Sequence, residues 1–200
     1  MRNTKEEILS AALNLFAAGG YEGISVSMIA DKLGITKGAL YRHYKSKQDI
    51  FEHIIKKMQQ QDETQAKSCN LPEGSLADMG DKYLTASPED IVKFSKAQFS
   101  FWTEDSFAAN IRKMLTIEQH RNKEMNELYQ NYFGTGPLGY VIDLFSSIGV
   151  ANPELSALEL YAPMFFLYTA YDSCMNTAAV KKLANEHFNT ISEKLKKERL

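Results

Sequence analysis

Cysteine is scarce in this chain: Cys69 and Cys174 are the only thiols among 200 residues. Neither belongs to a C-x-x-C pair or lies beside a histidine, so a disulfide framework is excluded and both read as reduced, structural side chains. Ligand spacing is also missing among His43, His53, His120 and His187, so neither a metal nor a cofactor is expected. With only 5 prolines and 11 glycines, the chain lacks the punctuation that many short strands require. Long apolar runs are absent too. The longest, residues 160–171, contains Pro163 and falls short of the ~20 residues of a membrane span. Lys5, Glu6 and Glu7 interrupt the start of the chain, which gives no signal-peptide pattern. A cytoplasmic location and no membrane partner are expected. The phosphate-binding glycine loops, the G-x-S-x-G elbow and the H-E-x-x-H zinc motif are all missing. Carboxylates stand with lysines at i, i+4 spacing, the arrangement of solvated helix faces. Nothing in the pattern marks an enzyme.

What is present is an ordinary globular composition, 44% hydrophobic and 24% charged, with 11 Phe and 10 Tyr to fill a core. The net charge of −2 conceals an asymmetry. Residues 1–60 carry nine basic and six acidic side chains, while the remainder carries 14 basic and 19 acidic. A basic first third on an acidic body points to a polyanion partner for that third alone.

Helical periodicity runs throughout and strand alternation persists nowhere, so the fold class is all-α. Thr4 to Glu7 has the form of a capping box, followed by Ile8, Ala12, Leu15 and Phe16 on one stripe and Gly19-Gly20 as a stop. Ser25 opens a short helix that carries Ile29 and Leu33 and ends at Gly34. Thr36 caps a third helix, expected to reach about Tyr44, and Ser46 caps a fourth, expected to reach about Lys67. Residues 68–87 read as a loop and domain boundary. Ser87-Pro88-Glu89-Asp90 is a strong helix start. Further helices are expected around 107–115, 125–133, 138–148, 153–174 (with Pro163 inside) and from 178 onward. On the last, Val180, Leu183, His187, Phe188, Ile191 and Leu195 face inward. The expected organisation is a small three-helix module at 1–47, a connecting helix at 48–67 and a larger helical domain at 68–200.

The most informative stretch is SVSMIADKLGITKGALYRHYKSK, from Ser25 to Lys47. Ala30, Gly34 and Leu40 have the A-x3-G-x5-L spacing of a helix-turn-helix. Ala30 is small where two helices cross, Gly34 supplies a positive φ in the turn, and Leu40 plugs the core from the second helix. A helix so placed can enter a major groove. Its start at Thr36, Lys37 and Gly38 offers amides to a phosphate, Gly38 and Ala39 permit close approach, and Lys37 and Arg42 can reach base edges. Tyr41, Tyr44 and Lys47 are phosphate donors on its flank.

Residues 4–50 resemble the N-terminal domain of TetR-type (tetracycline-repressor-like) transcriptional regulators, through Phe-Ala-x-Gly-Gly-Tyr and then VSMIADKLGITKGALYRHYKSKQDIF. The resemblance implies that Lys37, Gly38, Ala39, Tyr41, Arg42 and His43 face DNA, and that Ser27, Thr36, Tyr44 and Lys47 touch phosphates. Met28 departs from the pattern, standing where the family usually has an acid. The resemblance also implies a ligand cavity and a homodimer. Candidate lining residues are Phe99, Trp102, Phe107, Met114, Tyr129, Tyr132, Phe133, Phe165, Tyr168 and Tyr171. The last two helices are the candidate dimer interface. The function implied is a repressor that binds a near-palindromic operator in double-stranded DNA as a dimer and is released by a small-molecule effector. The alternatives are a helical protein-interaction module and a pocket enzyme without DNA binding.

Overall fold

A computed structural model describes residues 4–67, 87–173 and 176–198. Residues 68–86 of the expected boundary loop at 68–87, and both cysteines, lie outside the described residues. The helices are α1 (Thr4–Gly19), α2 (Val26–Leu33), α3 (Lys37–Tyr41), α4 (Lys47–Lys67), α5 (Pro88–Glu104), α6 (Ser106–Glu118), α7 (Lys123–Phe133), α8 (Thr135–Ser147), α9 (Pro153–Ser173) and α10 (Thr177–Glu198). Among the described residues there is no strand, and no helix is long and apolar enough to cross a membrane. The all-α expectation holds. Two compact units divide the chain, and the division is not sequential. Residues 106–129 belong with the N-terminal unit, and residues 130–200 with the segment that contains α5.

In the first unit α1 buries Ile8, Leu9, Ala12, Leu13 and Phe16. Much of this apolar face meets α6, which supplies Ala108, Ile111, Met114 and Leu115. Thr4 is already helical and is therefore not the cap of α1. Gly20 ends α1 at φ +76°, its amide donating to the Phe16 carbonyl at 2.9 Å. Hydroxyl caps then start the next three helices. Ser25 Oγ accepts from the Met28 amide at 3.3 Å, Thr36 Oγ1 from Ala39 at 3.1 Å, and Ser46 Oγ from Asp49 at 3.0 Å. Each satisfies an amide that has no partner within its own helix. Asp49 returns the favour at the head of α4, its Oδ2 accepting from the Lys45 amide at 2.6 Å.

The second unit gathers α5, α8, α9 and α10, with α9 packed against the other three. Ser87 caps α5 as expected, with Pro88 in the first turn. Helix α8 begins three residues earlier than its apolar pattern suggests. Pro137 falls in its first turn, where an amide has no helical partner to lose. Pro163 is accommodated inside α9. Leu183, expected inward, is 51% exposed, and Ala184 takes the buried position instead. Val180, Ala184, Phe188, Ile191 and Leu195 step by four, four, three and four, a cleaner helical stripe than one drawn through Leu183.

The turn between α2 and α3 depends on Gly34, at φ +66° with its amide reaching back to Ala30 and Asp31 carbonyls. A Cβ there would meet nothing within 4 Å, so only the backbone conformation requires glycine. Gly34→Ala is expected to cost about 1–2 kcal/mol of stability, the left-handed penalty without a packing term. Urea unfolding with an unchanged m value checks this.

Candidate nucleic-acid interface

Helix α3 has five residues and one anchor. Leu40 is completely buried, whereas Thr36, Lys37, Gly38, Tyr41 and Arg42 are exposed and Ala39 and His43 half-buried. Of the ten positions that sequence assigned to DNA, these five are exposed and the others are half-buried or buried. Tyr41 is half exposed. Ser27 is half-buried in the first turn of α2, and Met28 is 43% exposed. The missing acid at Met28 leaves the Ser25 cap intact, as its hydrogen bond shows.

Two details differ from expectation. The helix stops at Tyr41 instead of reaching Tyr44, and the Leu40 carbonyl accepts from both His43 and Tyr44 amides, at 2.9 and 3.2 Å. The start of α3 is also less open to phosphate than its amides suggested, because the Thr36 hydroxyl takes the Ala39 amide.

Tyr44 and Lys47 differ further. Tyr44 is 2% exposed and its hydroxyl donates to the Lys5 carbonyl at 3.3 Å, while its ring meets His53 edge-on at 5.1 Å. Lys47 Nζ donates to the Tyr21 carbonyl at 2.9 Å and stands 4.2 Å from the centre of the Tyr21 ring. Both polar ends are committed inside the unit, so their place is to fix α3 and α4 against α1. Phosphate donation from these side chains requires those bonds to open. Lys45, exposed in the same segment, is a cation that the motif reading left out. Its signal was a basic residue squeezed between buried Tyr44 and the cap Ser46.

Tyr21 is the hub of this support. It packs on Phe16 and Phe51, each at 5.2 Å, and its hydroxyl donates to Gln48 Oε1 at 2.9 Å. Burial first, then the carboxylates of Glu22, Glu124 and Glu52, push its phenol up to about 12. Burial, followed by Glu6 and Asp49, raises Tyr44 as well.

The ten candidate ligand residues do not form one group. Phe99, Trp102, Tyr132, Phe133, Tyr168 and Tyr171 make a continuous run of rings in the second unit. Phe99 stacks on Tyr168 at 5.7 Å and meets Tyr171 at 6.3 Å, Trp102 meets Phe133 at 4.4 Å and Tyr132 at 5.8 Å, and Phe133 reaches Tyr168 at 6.4 Å. Phe188, which sequence placed only in the core, joins Phe99 at 6.4 Å. Phe107, Met114 and Tyr129 belong to the first unit. Met114 is fully buried there, and Phe107 lies under Lys57 Nζ at 5.0 Å. Phe165 is exposed. Equal spacing along helices could not reveal this sorting. His187 Nε2 donates to the Leu160 carbonyl at 3.0 Å, tying α10 to α9 as a packing contact.

Residues 8–54 match the family model described as bacterial regulatory proteins, tetR family. These residues form a TetR-family domain. Among curated proteins, the transcriptional regulator AcrR of Shigella flexneri is 42% identical over 53 residues, 26% of this chain and 25% of AcrR. The match thus spans about a quarter of the relative's length. Solved structures extend the likeness in fold to nearly the whole chain. MexZ of Pseudomonas aeruginosa, described as a repressor, has a TM-score of 0.67 at 14% identity, covering 98% of this chain and 96% of that one. FadR of Bacillus subtilis, solved with stearoyl-CoA, has a TM-score of 0.59 at 20% identity, covering 94% and 97%.

The raised Tyr21 phenol gives the TetR-type domain an alkaline limit. A phenol whose folded pKa exceeds its unfolded value contributes stability that is fully present below about pH 10 and is lost as pH rises towards 12. Tyr21→Phe is expected to flatten this loss between pH 10 and 12. Thermal melts of both proteins across that range test it.

Proposed function

We propose that this chain is a ligand-responsive repressor that binds a near-palindromic operator in double-stranded DNA as a homodimer, in the cytoplasm, and is released by a small-molecule effector. The observation that carries the reading is the exposed, hydroxyl-capped α3 bearing Lys37, Gly38, Tyr41 and Arg42, inside a segment that matches the TetR family. Lys37 and Arg42 take the base-reading role, with Ala39 and His43 beside them. Ser27 and Thr36 flank them on the phosphate side. Tyr44 and Lys47 hold the reader in place, with phosphate contact following only if their internal bonds open. The chain divides functionally into the DNA-binding module at 1–47, the connecting helix at 48–67 and an effector and dimerisation domain at 68–200, which lends α6 to the first compact unit. No catalytic role is part of this reading.

A gel-shift titration against the DNA upstream of the gene, at two salt concentrations, tests it. Specific binding should weaken at high salt yet keep its sequence preference. Lys37→Ala and Arg42→Ala should each lose about 1–3 kcal/mol of discrimination at one operator position. Equal loss on every sequence would move these residues from reading bases to holding phosphates.

Dimerisation rests on α9. Leu155, Leu158, Phe165 and Phe166 occupy one face of it and are 49%, 48%, 40% and 68% exposed. Four large apolar side chains on one arc form a patch that solvent does not favour, and a second copy of the same face is the self-complementary cover. Two linked readers then meet half-sites ~34–36 Å apart. An effector admitted among the rings of Phe99, Trp102, Tyr132, Phe133, Tyr168 and Tyr171 shifts that spacing, with a coupling of ~1–3 kcal/mol. Phe166→Glu should give a monomer by sedimentation equilibrium and lose operator affinity while α3 stays intact. A dimer that survives this change would remove α9 from the interface.

A further inference from the structure

Glu118 is fully buried at the last position of α6, and neither carboxylate oxygen has a hydrogen-bond partner among the described residues. Arg121 Nη1 stands 3.9 Å from Oε1, beyond hydrogen-bond distance, and its own side chain is 63% exposed. The carboxylate occupies space that exists because residue 20 has no side chain: a Cβ built on Gly20 would run into Glu118 Oε1. Gly20 is the left-handed residue that ends α1, and the chain turns from it through residues 21–24 into the helix-turn-helix. A buried carboxylate with unsatisfied oxygens opposes the packing that buries it.

We propose that Glu118 is a built-in release point: a positioning residue whose carboxylate, buried without a hydrogen bond among the described residues and with only a long ion pair to Arg121, makes the contact between the end of α6 and the α1–α2 turn the weakest seam of the first unit. Elsewhere the α1–α6 contact is apolar apart from one satisfied hydrogen bond, from Asn110 Nδ2 to Asn14 Oδ1 at 2.7 Å, with Ile8, Phe16, Ile111, Met114 and Leu115 all buried completely. Opening therefore begins at Gly20. There, outward movement of Glu118 restores its hydration and brings it to Arg121. Helix α6 follows α5 with only Asp105 between them, so the seam lies where a change carried along the chain into α6 would reach the turn that leads into the helix-turn-helix. This regulatory meaning rests on the function proposed above, whereas the seam itself does not.

The test uses the full-length protein and three measurements. Glu118→Gln and Glu118→Met keep the volume and remove the charge. Both should raise Tm, by roughly 2–8 °C. Native-state hydrogen exchange should show the amides of residues 20–24 slowed about tenfold in both variants, with little change in α4. A merely structural carboxylate would give the reverse, lower Tm and faster exchange. Gly20→Ala supplies the third measurement, made alone and together with Glu118→Ala. The strain at φ +76° is common to both backgrounds, so Gly20→Ala should lower the urea midpoint more where Glu118 is retained. All three results are required. A fall in Tm, unchanged exchange at 20–24, or equal Gly20→Ala losses in the two backgrounds would each overturn the proposal. None of these readouts needs DNA, so a chain that passes them yet binds no operator fails the functional reading alone.

Discussion

A five-residue helix has too few internal hydrogen bonds to persist by itself. Everything α3 offers to solvent is therefore held by the one side chain it buries, Leu40, and by the anchored Tyr44 and Lys47 that follow it. The surroundings of this one side chain explain much of the first unit. Ala30 is small where α2 passes close, Gly34 turns the chain sharply enough to bring Leu40 under α2, and the Leu40 carbonyl gathers the amides of His43 and Tyr44 as the helix gives out. The reader is short, but its orientation is over-determined.

A division of labour among polar groups follows. Tyr21, Tyr44 and Lys47 turn their polar ends inward, onto Gln48, the Lys5 carbonyl and the Tyr21 carbonyl. Thr36, Lys37, Tyr41 and Arg42 remain outward. Residues of the same chemical type, Tyr41 and Tyr44 or Lys37 and Lys47, thus serve opposite ends within eleven positions. Lys47 shows why composition alone misleads: it adds to the basic count of the first third, yet its ammonium lies over an aromatic ring.

Local chemistry was legible in the sequence. Ser25, Thr36, Ser46 and Ser87 each cap the helix expected of them, and Gly34 has its positive φ, because a cap or a turn involves only residues three or four apart. Partnerships between distant segments were not legible. The residues from Ser106 to Glu118 read as one more helix of the larger domain, but they pack along α1 some hundred positions earlier. The same blindness hid Glu118, whose exceptional burial needs Gly20 opposite it, and scattered the aromatic candidates across two units. Leu183 and Ala184 differ by one position, which on a helix is about a quarter-turn, and hydrophobicity favoured the wrong neighbour.

The brevity of α3 also has a consequence in the language of information. Five helical residues extend over about 7.5 Å, roughly two base-pair rises of a duplex. A probe that short can specify only a few bits. A bacterial chromosome contains on the order of 10⁶ rival addresses, so one such probe would be at home almost anywhere. Under the proposed function, uniqueness comes from combining readings taken at a fixed separation, and whatever sets that separation matters to target choice as much as the letters themselves.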